Sequence, residues 1–223
     1  MSAGGLAGEA EARLAALSAD DVVLVYGGTF DPPHRGHLEL PEAARAALCA
    51  ALVAYVPAGR SPFKQGRVQS PPEVRLKLVE AAVAGRASAV VLPWEVAAGD
   101  GEATYTIDTV ERLARWTRAR LRLLIGADQA ASFARWKSAE RLAALAEPCV
   151  LARSVEGGGG LAWLDALPSA ERAVWAPRVV AAPVVDVSAT EVRERVARGA
   201  SIEGMCPPGV VALIESLGLY RGA

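Results

Sequence analysis

Short apolar runs alternating with helix-forming stretches constrain this chain more than any other feature. Val22-Val23-Leu24-Val25-Tyr26 is continuous, apolar and rich in β-branched residues, which predicts a strand buried on both faces. Leu52–Val56, Ala89–Leu92, Leu121–Ile125, Pro148–Ala152 and Arg178–Ala182 read as further strands. Between and after them the sequence predicts helices over Gly36–Ala50, Glu73–Ala84, Thr106–Arg118, Ser188–Ala197 and Pro208–Ser216, with two short helices flanking Trp136. Such alternation implies βαβ units, and hence an α/β fold with a mainly parallel sheet and helices on both faces. Ligands of these sheets bind beyond the carboxyl ends of the strands.

The 223 residues suit one domain with a modest appendage. We expect residues 1–20 to be an N-terminal extension, helical from about Glu9 to Leu17. Residues 21–186 form the core, and 187–223 a small C-terminal helical part of the same domain. The stretch Ala58–Pro72, with three prolines and two glycines, reads as a long loop, and Gly157–Gly160 as a mobile one. Hydrophobic residues make up 52% and charged residues 22%, a globular balance. The 24 basic and 25 acidic residues give a net charge of −1, so neither duplex nucleic acid nor an anionic membrane is expected as a partner. No run approaches the roughly 18 apolar residues of a membrane span. Glu9, Glu11 and Arg13 break any signal-peptide core. Cys49, Cys149 and Cys206 lie far apart, as expected of reduced thiols in a cytoplasmic protein.

Chemistry concentrates where the first strand meets its helix, in Gly27-Gly28-Thr29-Phe30-Asp31-Pro32-Pro33-His34-Arg35-Gly36-His37-Leu38. Gly27 and Gly28 let backbone approach a ligand where a side chain would collide. His34 and His37, the only two histidines, straddle the start of the helix. Their spacing lets both rings face one side of its first turn, where free N–H groups and the helix dipole favour an anion. A zinc site would draw on both histidines and Asp31, but no third histidine or nearby cysteine completes a set, and we assign no metal ligand. Near the C-terminus, Ser188 with Glu191 fits a capping box. Thr190 and Arg193 share a face of the same helix start and could help cradle a polyphosphate.

These segments carry a resemblance. Gly27–His37 resembles the G-x-F-D-P-x-H-x-G-H signature of the nucleotidyltransferase superfamily, and Ser188-Ala189-Thr190-Glu191-Val192-Arg193 its S-x-T-x-x-R element. Further segments resemble the bacterial nicotinate-nucleotide adenylyltransferases: Pro57–Lys64, Thr104-Tyr105-Thr106-Ile107-Asp108-Thr109, Ile125-Gly126-Ala127-Asp128, Trp136, and the ending Cys206–Tyr220. The likeness spans about residues 21–221. Phe63 stands where many members have histidine, and the R-P-G that often follows the fifth strand is Arg153-Ser154-Val155 here.

The resemblance implies a Rossmann-like nucleotidyltransferase fold and adenylyl transfer from ATP to nicotinate mononucleotide in NAD biosynthesis. It implies His34, His37 and Arg193 as catalytic residues. ATP would lie against Gly27, Gly28, Thr29, Phe30, His34, His37, Lys64, Gly126, Asp128, Ser188, Thr190 and Arg193. Nicotinate mononucleotide would lie against Gly28, Lys64, Tyr105, Thr106 and Trp136, with the tryptophan stacked on the pyridine ring. Mg²⁺ would ride mainly on the ATP phosphates. Two alternatives stay open: the same transfer to nicotinamide mononucleotide, and a non-catalytic nucleotide sensor on the same fold. A homo-oligomer also stays open.

Overall fold

The computed structural model describes residues 3–59, 70–98, 104–153 and 162–221. The segment holding Lys64, the glycine run at 157–160 and the Gly99–Gly101 loop lie outside them. The elements run α1 (Ala3–Ala15), β1 (Val22–Gly28), α2 (Gly36–Ala47), β2 (Leu52–Pro57), α3 (Pro72–Val83), β3 (Ala89–Val91), α4 (Trp94–Ala97) and α5 (Thr106–Trp116). Then follow β4 (Arg120–Gly126), α6 (Ala127–Ala130), a 3₁₀ turn at Phe133–Arg135, α7 (Ala139–Leu145) and β5 (Ala146–Arg153). The chain closes with α8 (Ala162–Asp165), α9 (Ser169–Trp175), a second 3₁₀ turn at Ala176–Arg178, β6 (Val179–Ala182), α10 (Ala189–Ala197) and α11 (Pro208–Ser216).

All six strands are parallel, in the order β3-β2-β1-β4-β5-β6. Side chains alternate across each strand, so β1 feeds two separate cores. Val22 and Leu24 join Leu38, Ala44, Leu78, Val79, Val192 and Ile214 on one face. Val23 and Val25 join Leu14, Val110, Leu113 and Leu142 on the other. Burial on both faces is why these strands carry unbroken apolar runs. Chain order reverses direction between β1 and β4, a switch point, so the carboxyl ends of these two strands open a crevice.

The helix of the N-terminal segment begins at Ala3, before the expected Glu9. Tertiary packing outweighs the low helix propensity of its glycines: Ala10 and Leu14 are buried in the second core. Arg13 donates to the carbonyls of Ala87 and Ala89, beside β3, and Glu11 pairs with Arg112 of α5. Among the described residues, no helix is long and apolar enough to cross a membrane.

Candidate active site

The loop leaving β1 turns sharply at Phe30, whose φ of 53° lies in the left-handed region. That turn folds the Phe30 ring back beneath the strand end, where it is 2% exposed. A Cβ on Gly28 would come within 2.8 Å of this ring, whereas one on Gly27 would meet nothing within 4 Å. Gly28 is therefore demanded by Phe30, and Gly27 faces open space at the crevice. The Phe30 side chain is floor, not ligand surface: only its backbone remains for a substrate.

That floor is aromatic. Phe30 meets Tyr26 edge-on at 5.7 Å and His37 edge-on at 5.1 Å. His34, 7% exposed, lies 3.9 Å from His37 between ring centroids. Backbone bonds orient both rings: the His34 N–H donates to His37 Nδ1 and the Gly36 N–H to His34 Nδ1, each at 3.2 Å. A ring nitrogen that accepts carries no proton, which places the donor N–H of each ring on Nε2. The motif glycine has a packing reason as well, since a Cβ at Gly36 would press to 3.1 Å from the His34 ring.

The two phosphate-type motifs meet through Asp31. One Arg193 nitrogen donates to the Asp31 carbonyl at 2.6 Å and the other to Thr190 Oγ1 at 3.2 Å. Ser188 caps α10, its Oγ accepting from the Glu191 N–H at 3.1 Å, as the capping pattern predicted. Its hydroxyl proton is left as a donor. The Asp31 carboxylate is not a ligand in waiting: Oδ1 accepts from the Tyr220 hydroxyl at 2.6 Å and Oδ2 from the Ser70 N–H at 3.2 Å. Burial, then this hydrogen bond to Asp31, pushes the Tyr220 phenol well above its ordinary range, so it stays a donor. Among the described residues, no three His, Cys, Asp or Glu side chains gather as a metal would require.

Across the crevice, Gly126 closes β4 and donates its N–H to Gln129 Oε1 at 3.0 Å. Asp128 is exposed in the short helix α6. Thr106 starts α5, and Tyr105 before it is 38% exposed. Trp136 follows the first 3₁₀ turn and packs on Phe133 at 5.5 Å, and Phe133 meets Trp175 edge-on at 5.6 Å. The structure thus pairs His34 with His37 and ties Thr190 and Arg193 to Asp31, three residues before His34 in the same loop. Gly126 and Asp128 stand at the carboxyl end of β4, Tyr105 and Thr106 at the start of α5, and Trp136 after the first 3₁₀ turn; Lys64 is outside the described residues.

Three residues escaped the sequence reading. Lys137 sits over the Tyr105 ring at 4.3 Å and pairs with Asp108 at 3.2 Å. Arg75, 2% exposed, donates to three backbone carbonyls. Glu95 accepts from Thr109 at 2.8 Å and Thr104 at 3.0 Å. Burial pushes its carboxyl up, against the pull of these bonds and of the Gly59 N–H. A charged residue amid apolar neighbours, as at Arg75-Leu76 and Trp94-Glu95, was the only available signal.

Residues 25–195 match the cytidylyltransferase-like family. A protein of Gemmatimonas aurantiaca named a probable nicotinate-nucleotide adenylyltransferase is 37% identical over 198 residues, 88% of this chain and 91% of its own. One of Roseiflexus, of the same name, is 36% identical over 200 residues, 88% of this chain and 96% of its own. The solved nicotinic acid mononucleotide adenylyltransferase of Plasmodium falciparum complexed with APC superposes with a TM-score of 0.61 at 14% identity, covering 91% of this chain and 98% of that one. At that identity it speaks for the fold alone.

Proposed function

The chain belongs to the cytidylyltransferase-like family and, within it, to the nicotinate-nucleotide adenylyltransferases, and from that premise we propose how its site works. The reaction is adenylyl transfer from ATP to nicotinate mononucleotide in NAD biosynthesis, giving deamido-NAD and pyrophosphate. A 5′-phosphate oxygen of the mononucleotide attacks the α-phosphorus of ATP. The bond from that phosphorus to the α,β-bridging oxygen breaks, and pyrophosphate leaves with the electron pair. An ionised phosphate needs no general base, so the protein's work is alignment and charge stabilisation.

The observation that carries this reading is the histidine pair, whose Nδ1 atoms are both occupied by backbone N–H groups. With Nδ1 accepting, Nε2 is the donor nitrogen of each ring, and we assign it to phosphate oxygens. His34 and His37 meet charge developing at the α-phosphoryl group, and Arg193, anchored on Asp31, takes the leaving pyrophosphate with Lys64, Ser188 and Thr190. Backbone at Gly27, Gly28, Thr29 and Phe30 lines the nucleotide. Gly126 and Asp128 approach its ribose. Tyr105 and Thr106 meet the nicotinate end, and Trp136 stacks on the ring. The family works with a divalent cation on ATP, which we assign as Mg²⁺. Mg²⁺ keeps waters and takes few protein ligands, so we place the cation mainly on the phosphates. The three free cysteines support a cytoplasmic setting.

The test is pyrophosphate release with ATP and Mg²⁺, run in parallel with nicotinate and nicotinamide mononucleotides. Much faster turnover of the acid is expected. Preference for the amide would overturn the acceptor but keep the chemistry, and no release with either would overturn the reading.

A further inference from the structure

Arg75 differs from Glu73 and Lys77 on the same helix, which are exposed. Its guanidinium is spent on carbonyls from three places: Nε to Ser70 at 3.0 Å, one terminal nitrogen to Thr29 at 2.9 Å, the other to Gly59 at 2.8 Å. Thr29 belongs to the loop that carries His34 and leads into the helix of His37. Gly59 and Ser70 flank the segment that holds Lys64. Burial pushes the Arg75 pKa down, with the Asp31 carboxylate opposing, yet an arginine stays charged and its planar fork suits three separated acceptors.

Gly59 is also the far end of a second set of bonds. Its N–H donates to the Glu95 carboxylate, which accepts from Thr104 and Thr109 on either side of Tyr105 and Thr106. A Cβ at Gly59 would collide with the Glu95 carbonyl, so the two strands of chain cross at backbone contact. One residue thus receives a buried cation from the triphosphate side and a carboxylate from the acceptor side. We propose that Arg75, Gly59 and Glu95 form a crosspiece of positioning residues that couples the two substrate half-sites, so that ATP binding strengthens binding of the mononucleotide. The inference rests on the adenylyl-transfer reading, because it assigns a substrate to each side.

A merely structural role would lower stability and leave the coupling between substrates intact. The experiment measures nicotinate mononucleotide binding by calorimetry, with and without saturating α,β-methylene-ATP and Mg²⁺, in the full chain and in Glu95→Gln and Arg75→Lys. In the wild type the analogue should tighten the mononucleotide by about 5-fold or more. Glu95→Gln keeps the shape, loses the charge and one acceptor, and should cut that factor below about 2-fold while leaving the analogue's own affinity unchanged. Arg75→Lys, with one ammonium for three carbonyls, should weaken the analogue by about 10-fold and abolish the coupling. A wild type without coupling, or variants with the wild-type factor, overturns the crosspiece. If Arg75→Lys does not fold, Glu95→Gln decides alone. Pyrophosphate release by the wild type separates the two claims: an active enzyme whose coupling ignores Glu95 overturns this inference only.

Discussion

On the side we assign to the triphosphate, the groups around His34 and His37 are fixed by buried or half-buried bonds: three involve backbone, Gly36 N–H on His34, His34 N–H on His37 and Arg193 on the Asp31 carbonyl, and Tyr220 holds the Asp31 carboxylate. On the acceptor margin the outermost contacts are side chain to side chain and open to water. Lys137 and Asp108 are each about half exposed, and both flank Tyr105, itself 38% exposed. Glu95 and the tilted Phe133–Trp136 pair reach inward there. The difference matches two tasks. Charge developing on phosphoryl oxygens rewards donors fixed in advance, to within a fraction of an ångström. A flat ring held by stacking tolerates lateral play. Turnover should therefore depend on the first side, and affinity and acceptor choice on the second.

The largest effect expected from this contrast is at His37. His37→Ala should lower kcat by about 100- to 1,000-fold, the cost of one well-placed donor to transition-state charge, with KM for the mononucleotide little changed. Near-normal turnover in a folded variant would remove the distinction between the two sides. Trp136→Ala sharpens it from the other direction. An aromatic contact of about 0.5–1.5 kcal/mol predicts a rise of roughly 2- to 13-fold in KM for nicotinate mononucleotide with kcat nearly unchanged. A kcat loss as large as that of His37→Ala would show that stacking also sets the reaction geometry.

The smallest effect is one of pH and concerns Glu95. Burial raises its pKa above that of a free glutamate, and Asp108 nearby raises it further. As pH falls the carboxyl takes up a proton sooner and loses acceptor strength toward Thr104, Thr109 and Gly59. KM for the mononucleotide should climb by about 2- to 3-fold between about pH 7 and 5, beyond the drift from the substrates' own phosphates, and Glu95→Gln should show that drift alone. Unfolding through this group is not the cause. Because the folded pKa lies above the unfolded one, proton uptake here favours the folded chain as pH falls through it. Identical slopes in wild type and variant would sink the assignment.

The strands were legible because burial on both faces leaves an apolar signature needing no partner to interpret. Ser188 was legible for the opposite reason, since a cap bonds its own helix three residues on. The helices at Trp94–Ala97, Ala162–Asp165 and Ser169–Trp175 were not, being too short to display a helical period. Nor were the reasons for Gly28 and Gly36, which depend on where the Phe30 and His34 rings fall once the chain is folded. Arg75 and Glu95 stayed hidden for a related cause. Arg75 bonds the backbone of residues 5, 16 and 46 positions away, and backbone carries no sequence signal.

The N-terminal helix bears on a different property, the behaviour of the molecule in crowded solution. β3 is an edge strand. Its ladder to β2 uses the Ser88 carbonyl and the Leu92 N–H, so alternation turns the carbonyl of Ala89 outward. An outward row of this kind is where a second sheet could add itself and start an aggregate. Arg13 occupies that acceptor and the Ala87 carbonyl beside it, leaving a positive charge where an incoming strand would dock. Removing α1 would uncover Ala89 together with the apolar surface now under Leu14, and turn a closed margin into a growing one.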